Sequence, residues 1–276
     1  MMPQPQTPPA HIGILQLMTG AHVAGAVSCL AQLGIPDLVE AAPKSAEELA
    51  KQIGADPQAL YRLMRATASI GVLSEGPDGK FSQTPMSTVL RTNATPSLRA
   101  FATMGGREWH GRGWSELEYC VRTGKQALDH IYGAHVFDFL KQHPAEGQIV
   151  NDAMTELSMI DSPAVAEAYD FNGIRSIVDV GGGHGLLLAT ILKSNPHLRG
   201  TLYEMPHVVE GAKEWSAEAG DGALHFCFRR YVFLCSSRCG CLHHEAHHSR
   251  LARRSVRTHT QSLSKKREFA RQTPRG

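Results

Sequence analysis

The sequence of 276 residues predicts an α+β unit at the N-terminus, followed by the beginning of an α/β unit. Three observations support this division. Helical patterns followed by a hairpin pattern fill residues 12–95, and a strand–turn–helix–strand pattern fills residues 172–204. The formal charge then changes abruptly, from a net −8 over residues 1–224 to a net +10 over residues 225–276. With 42% hydrophobic residues, the composition excludes a wholly disordered, collagen-like or disulfide-scaffold chain.

Residues 1–11 are rich in Pro and Gln and predict a disordered leader, not a secretory signal, because they lack a basic cluster and an apolar run. Residues 12–36 carry no charged side chain, which makes a membrane span one interpretation. Polar residues such as Gln16 and a helix stop at the end favour instead a helix that is buried or lies at a dimer interface. The isolated cysteines Cys29 and Cys120 fit a cytoplasmic protein.

Capping residues mark the start of two further helices. Ser45 and Glu48 have the spacing of a capping box, in which each side chain bonds the backbone N–H of the other residue. Asp56 is the predicted N-cap of a helix whose first position is Pro57. This helix is expected to end before Gly71.

A hairpin is predicted next, with strands near Leu73 and Phe81 on either side of a Gly-Pro-Asp-Gly turn. Three helices followed by a hairpin are the pattern of a winged helix, a unit that often binds DNA. The helix in the recognition position, residues 57–70, carries only Arg62 and Arg65 as basic residues. Because the surrounding chain is acidic and would repel phosphate, a dimerisation unit is favoured over a DNA-binding one.

Residues 96–171 predict a helical connector. A helix is expected to break at His143 and Pro144, and another to begin at Asn151. The aromatic and methionine side chains of this region are expected mainly in a core, not around a ligand.

The α/β unit, residues 172–224, begins with the apolar strand 174–180. The stretch Gly-Gly-Gly-His-Gly follows, then an apolar helix over 186–193 and a second strand over 200–203 that ends at Glu204. Glycines let the backbone turn tightly after a strand and approach a ligand closely. The helix N-terminus beside them offers free N–H groups. The pattern predicts a nucleotide-type binding site.

Two acidic residues favour one class of ligand for this site. Asp179 ends the first strand, and Glu204 lies 25 residues later, where a carboxylate can accept both ribose hydroxyls. A pyrophosphate would be repelled by Asp179, whereas an ammonium group would be attracted. S-adenosyl-L-methionine carries an ammonium and a sulfonium but no phosphate, so these residues favour it over a nicotinamide dinucleotide. The alternative is a tight turn without a ligand in some other α/β protein.

Residues 12–213 resemble the small-molecule O-methyltransferase family, which includes plant caffeate-type enzymes and bacterial relatives. The matching stretches are VDVGGGHGLLLATILKSNP, LYEMPHVVEGAK, NDAMTEL and AYDF. The resemblance implies a winged-helix dimerisation domain over residues 12–95 that forms a homodimer. It also implies a Rossmann-like α/β methyltransferase domain that binds S-adenosyl-L-methionine, incomplete here because only residues 172–224 belong to it.

The resemblance further implies the binding residues. Those expected around the cofactor are Asp179, Gly181, Gly182, Gly183, Glu204 and Met205, and those expected near the acceptor are Asn151 and Met154. The family more often has Asp at the position of Glu204, whose extra methylene leaves the function possible. The implied reaction is in-line methyl transfer to a hydroxyl of a small, hydroxylated, aromatic acceptor. From composition, charge and spacing, no metal, nucleic-acid or membrane partner is expected.

The resemblance ends near Gly222. Family members continue with a Gly-Asp step, a strand and a K-H-x-x-H-D-W stretch, whose second His is the general base. A base is needed because a phenol with a pKa of about 10 is mostly protonated at neutral pH. No such stretch follows in this sequence. The sequence therefore predicts no catalytic residue, no methyl transfer, weak or absent cofactor binding, and only the first two strands of the family sheet.

The basic tail, residues 225–276, admits three interpretations. A zinc site would use Cys239, Cys241, His243, His244, His247 and His248, but their spacing fits no standard pair of zinc knuckles. A nucleic-acid-binding tail would use the arginines. The favoured interpretation is a frame change between about Asp221 and Cys227. Codons for residues 225–254, shifted by one nucleotide, permit FVSGDMFFSVPAGADAYIMKHIIHDWHDE, which restores the family continuation; a gene whose other frame does not spell this run would contradict the hypothesis.

The sequence also allows a function that is not enzymatic. The chain could be a non-enzymatic winged-helix protein, either a DNA-binding regulator or a dimerisation partner of an intact relative. Binding of the methyl-donor cofactor distinguishes the two classes, because a regulator does not require it.

Overall fold

The structure, a computed structural model, describes residues 9–205, residue 208 and the backbone of residues 224–228. Its N-terminal unit has the predicted order of helices followed by a hairpin. The elements are α1 (Ala10–Gln32), α2 (Ile35–Leu38), α3 (Ala46–Ile53), α4 (Pro57–Ser69), β1 (Leu73–Glu75), β2 (Phe81–Gln83) and α5 (Pro85–Thr88). Strands β1 and β2 are antiparallel, with Leu73 opposite Gln83. This is the winged-helix arrangement that the sequence predicts.

The predicted caps of α3 and α4 are present. The backbone N–H of Glu48 donates to Ser45 Oγ at 3.2 Å, and that of Ser45 donates to Glu48 Oε2 at 2.7 Å. The backbone N–H of Ala59 donates to Asp56 Oδ1 at 2.7 Å. Both capping predictions are confirmed, because these interactions are local and the sequence spacing alone decides them.

The core of this unit lies between the end of α1, helices α3 and α4, and the hairpin. Its fully buried large side chains include Leu30, Ile35, Leu49, Met64 and Phe81. The hairpin strand β2 therefore closes the core of the helices and does not extend from them as a free wing.

Helix α1 differs from the prediction in two respects. It begins at Ala10, within the predicted leader, since the carbonyl of Pro9 accepts from the N–H of Gly13 and starts the helix earlier. Its burial is confined to the C-terminal part; six large apolar side chains are exposed, namely Ile12, Ile14, Leu15, Leu17, Met18 and Val23. In a single copy most of α1 is therefore exposed, which is against the buried alternative and leaves the dimer-interface alternative. Within the described residues, α1 alone has the length and hydropathy of a membrane span.

The connector is helical, as predicted. Its elements are α6 (Arg99–Gly105), α7 (Glu108–Ser115), α8 (Leu117–Thr123), α9 (Ala127–Tyr132), α10 (Val136–Gln142) and α11 (Pro144–Ala168). The prediction that a helix begins at Asn151 is wrong, since α11 begins at Pro144. Helix α10 ends at Gln142, because a proline disfavours helical geometry at the residue before it. Pro144 starts α11, because it lacks the N–H that the first turn of a helix leaves unbonded.

The connector has its own core. Met104, Trp109, Phe139, Leu140 and Ala153 form it, which confirms the core interpretation for these residues. Trp114 and Phe137 are exposed, so the interpretation is wrong for these two.

Glu156 of α11 joins the connector to α6. Its carboxylate accepts from the backbone N–H groups of Ala100 at 3.0 Å and Phe101 at 2.9 Å, and from Ser97 Oγ at 2.7 Å. The two N–H groups belong to the first turn of α6, where they have no partner within the helix, and Ser97 precedes that turn. Glu156 therefore fixes α11 against the end of the N-terminal unit.

The α/β unit contains β3 (Ser176–Val180), α12 (Leu186–Ser194), β4 (Arg199–Glu204) and β5 (Leu224–Phe228). The three strands form a parallel sheet in the order β3-β4-β5. Leucines of α12 and β4, including the fully buried Leu202, form the core beside it.

The sheet has three strands among the described residues, so the prediction that the chain supplies only two is wrong. Strand β5 overlaps the start of the basic tail, residues 225–276. The segment Leu-His-Phe-Cys-Phe contains neither Gly, Pro nor a carboxylate, and suits the free edge of β4. The remaining tail, residues 229–276, lies outside the described residues, as do the zinc-ligand candidates. Within the described residues, no group of three His, Cys, Asp or Glu side chains is placed to hold a metal.

Candidate functional site

A cavity of about 870 Å³ lies between α11, the glycine turn after β3 and the end of β4. Every binding residue expected from the sequence lines it: Asn151, Met154, Asp179, Gly181, Gly182, Gly183, Glu204 and Met205. The structure therefore brings together one set of residues from the α/β unit and another from α11.

The glycine turn depends on the absence of side chains. Gly181, Gly183 and Gly185 have φ angles of 74°, 58° and 80°, in the left-handed region that favours glycine. A Cβ on Gly182 would lie 2.3 Å from Asp179 Oδ2, which is a collision. The backbone of the turn can therefore lie this close to the Asp179 carboxylate only because residue 182 is glycine.

Glu204, at the end of β4, holds this turn. Its Oε2 accepts from the backbone N–H of Gly183 at 3.0 Å, and its Oε1 accepts from that of Met205 at 2.6 Å. Each carboxylate oxygen has a second lone pair, so Glu204 can still accept two hydroxyl hydrogens from a ligand.

Asp179, at the end of β3, has an unused hydrogen-bonding atom. Its Oδ2 is buried and has no hydrogen-bond partner among the described residues. Burial raises the pKa of this carboxyl, and the negative charge of Glu204 raises it further. A cationic donor placed in the cavity would satisfy Oδ2 and lower this pKa by charge attraction.

The other side of the cavity, across from the glycine turn, comes from α10 and α11. Its apolar walls include Phe137, Met154, Leu157 and Val165, with Asn151 and Lys141 as polar neighbours. Phe137 and Met154 are 56% and 42% exposed, and both are exposed where they line the cavity.

Two residues that the sequence did not single out also line the cavity. Thr155 Oγ1 and His184 Nδ1 lie 2.8 Å apart, and this contact joins α11 directly to the glycine turn. The residues are 29 positions apart, so no local pattern predicts the pair. Two features of the sequence could have indicated them: His184 lies within a glycine turn, and Thr155 lies one helical turn after Asn151.

Comparisons with known proteins match both units. The O-methyltransferase dimerisation domain family matches residues 15–93, and the O-methyltransferase domain family matches residues 114–227. The second match ends in the interval where the sequence resemblance ends.

Among curated proteins, the phenazine O-methyltransferase PhzM of Lysobacter antibioticus is 40% identical over 209 residues. This alignment covers 76% of the present chain and 61% of the relative, so the chain spans less than two thirds of that protein.

Two solved structures share the fold. The crystal structure of LaPhzM has a TM-score of 0.75 at 37% identity, over 80% of this chain and 67% of that one. NcsB1, an O-methyltransferase from neocarzinostatin biosynthesis, was solved in complex with S-adenosylmethionine and 2-hydroxy-5-methyl naphthoic acid. Its TM-score is 0.62 at 27% identity, over 75% of this chain and 64% of that one. By these matches in sequence and in structure, the chain belongs to the O-methyltransferase family, with the family's dimerisation domain at its N-terminus.

Proposed function

We propose that the cavity binds S-adenosyl-L-methionine through Asp179 and Glu204, and that the family reaction is methyl transfer to a hydroxyl of a small aromatic acceptor. The observation that carries the proposal is the pair of carboxylates on one cavity wall, one with a buried free oxygen and one with two lone pairs left. The complex of NcsB1 with S-adenosylmethionine and a hydroxynaphthoic acid supports the same pair of ligands.

The described residues fit this cofactor group by group. Asp179 Oδ2 would accept from the ammonium of the amino acid end, and Glu204 would accept from the ribose hydroxyls. The glycines at 181–183 let the ligand approach the protein backbone closely, because they have no side chain. When bound, the cofactor supplies an electrophilic methyl group on a sulfonium.

The apolar wall around Met154 would hold the aromatic ring of the acceptor, with Asn151 available to bond a polar substituent. In this mechanism the chain orients both ligands and excludes water from the space between them. The family's general base lies in a stretch that this sequence does not contain. We therefore expect cofactor binding weaker than in an intact relative, and no methyl transfer by this chain.

The exposed apolar side chains of α1 support the proposal of a homodimer. Ile14, Leu15, Leu17 and Met18 are all more than half exposed on a helix that begins the dimerisation domain. A second copy that covers this face would bury apolar surface, which favours association. A face of α1 that packs against a second copy would not contact lipid, as a membrane span does.

The binding proposal is tested by calorimetry with S-adenosylhomocysteine, the product form of the cofactor, on the full chain. We expect one binding site per chain, and a loss of at least tenfold in affinity for Asp179→Asn and for Glu204→Gln. Glu118→Gln is the matched control, since Glu118 is exposed on α8 outside the cavity. Absence of binding by the unmodified chain at millimolar ligand would instead support a non-enzymatic winged-helix protein.

A further inference from the structure

The hydrogen bonds of Thr155 determine which nitrogen of His184 carries a hydrogen. Thr155 Oγ1 lies 2.9 Å from the backbone carbonyl oxygen of Asn151 and 2.8 Å from His184 Nδ1. A hydroxyl has one hydrogen, and a carbonyl oxygen can only accept. The hydroxyl hydrogen must therefore point to Asn151, because two oxygen lone pairs would otherwise face each other at 2.9 Å.

The single hydrogen of the Thr155 hydroxyl also decides its contact with the His184 imidazole. With its hydrogen used on Asn151, Thr155 Oγ1 can only accept from His184, so Nδ1 must carry a hydrogen. In the neutral ring, Nε2 then has a free lone pair. Within the described residues Nε2 has no hydrogen-bond partner, and His184 lines the cavity beside Asn151 and Met154.

We propose that Thr155 locks His184 in the Nδ1–H tautomer, and that His184 Nε2 is the hydrogen-bond acceptor that selects a hydroxyl-bearing ligand in this cavity. A hydroxyl hydrogen satisfies Nε2, whereas a methyl ether or a carbonyl at the same place would oppose its lone pair. His184 is thus a specificity-determining residue of the acceptor site. The selection of a hydroxyl rests on the proposed function; the tautomer lock does not.

The lock is tested by long-range ¹H–¹⁵N correlation spectra of the full chain at about pH 8, above the ordinary histidine pKa of about 6.5. Loss of one imidazole signal set in His184→Gln assigns the residue. We expect Nδ1 at a hydrogen-bearing shift and Nε2 at a lone-pair shift. Thr155→Ser, which keeps the hydroxyl, should preserve both shifts, and Thr155→Val should move both towards the average of two tautomers. A hydrogen on Nε2 in the unmodified chain, or unchanged shifts in Thr155→Val, would overturn the lock.

The selection is tested in the same spectra with phenol and anisole, which differ in that only phenol has a hydroxyl hydrogen. Phenol should shift the Nε2 resonance towards its hydrogen-bearing position, and anisole should not. An equal response to both, or none to phenol at its solubility limit, would overturn this part. Calorimetry with S-adenosylhomocysteine is independent of these spectra, so failure of the cofactor proposal is recognised separately.

Discussion

The backbone N–H of Gly183 donates to Glu204 Oε2 at 3.0 Å, so the carboxylate that ends β4 holds the turn that follows β3. The two strands are neighbours in a parallel sheet, with Val180 opposite Tyr203, which brings their ends to the same edge. The fold and the candidate site therefore depend on the same hydrogen bond. Asp179 lies at this edge as well, but its Oδ2 has no hydrogen-bond partner within the part of the chain that the structure describes.

Asp179→Asn is expected to stabilise the ligand-free chain by about 1 kcal/mol, because it removes a carboxylate charge whose buried Oδ2 has no hydrogen-bond partner among the described residues. The same substitution should weaken binding of S-adenosylhomocysteine. Urea unfolding and calorimetry measure the two effects. Asp138→Asn, at an exposed site on α10, is the control and should change neither quantity. A less stable Asp179→Asn would show that this carboxylate has a structural partner.

The pH dependence of the ligand-free chain follows from the raised pKa of Asp179. The folded state holds this proton more tightly than the unfolded state does. The contribution of Asp179 to stability is therefore fully present below the ordinary aspartate pKa and is lost as the pH rises through the raised one.

Ligand binding should change that titration. An ammonium beside Asp179 lowers its pKa, so binding releases a proton, and affinity for S-adenosylhomocysteine rises with pH between the pKa values of the bound and free states. Calorimetry in buffers of different ionisation enthalpy counts the released proton, and Asp179→Asn should abolish the release. Proton uptake on binding would contradict the assignment of the ammonium to Asp179.

Glu146 is expected to stabilise the connector through hydrogen bonds to Arg107 and Trp109. Its Oε2 accepts from Arg107 Nε at 2.8 Å and from Trp109 Nε1 at 2.9 Å, and Arg107 pairs with Oε1 as well. The hydrogen bonds from Arg107 lower the pKa of Glu146 more than burial raises it. Glu146→Gln should cost about 2 kcal/mol.

The contribution of Glu146 is present above the ordinary glutamate pKa and is lost as the pH falls through the depressed one. Urea unfolding of the unmodified chain and of Glu146→Gln at neutral and acidic pH should therefore converge at low pH. In the control Glu118→Gln, an exposed ion pair to Arg122 is lost, and the change should stay below about 0.5 kcal/mol. A difference for Glu146→Gln that persists unchanged at low pH would contradict the argument.

Leu17→Asp is expected to convert the proposed homodimer to a monomer, because Leu17 is 77% exposed on α1 and a buried carboxylate in the interface would be unpaired. Sedimentation equilibrium measures the change in mass. Val121→Asp is a matched control, since Val121 is 78% exposed on α8, outside the dimerisation domain match. If Val121→Asp dissociates the protein and Leu17→Asp does not, the interface lies elsewhere.

Local chemistry explains which features the sequence predicts. The cap at Ser45, the helix start at Pro57 and the tight turn at Gly181 each depend on residues within a few positions. Placement of Glu204 beside the turn follows from the fixed length of one strand–helix–strand step. These elements could therefore be assigned before their packing was known.

Features that depend on distant contacts were missed. The pair of Thr155 with His184 exists only because α11 packs against the glycine turn. Strand β5 forms only where β4 offers a free edge, and its five residues were too short to stand out in a basic tail. The exposed face of α1 fits the proposed homodimer, and the apolar pattern of one chain does not distinguish such a face from a core.

The most direct test of the central claim is a crystal structure of the full chain soaked or grown with S-adenosylhomocysteine. We expect its ammonium within hydrogen-bond distance of Asp179 Oδ2 and its ribose hydroxyls on the Glu204 carboxylate, with the glycine turn unchanged. A ligand bound elsewhere, or with its ribose on Asp179 and its ammonium away from both carboxylates, would contradict it.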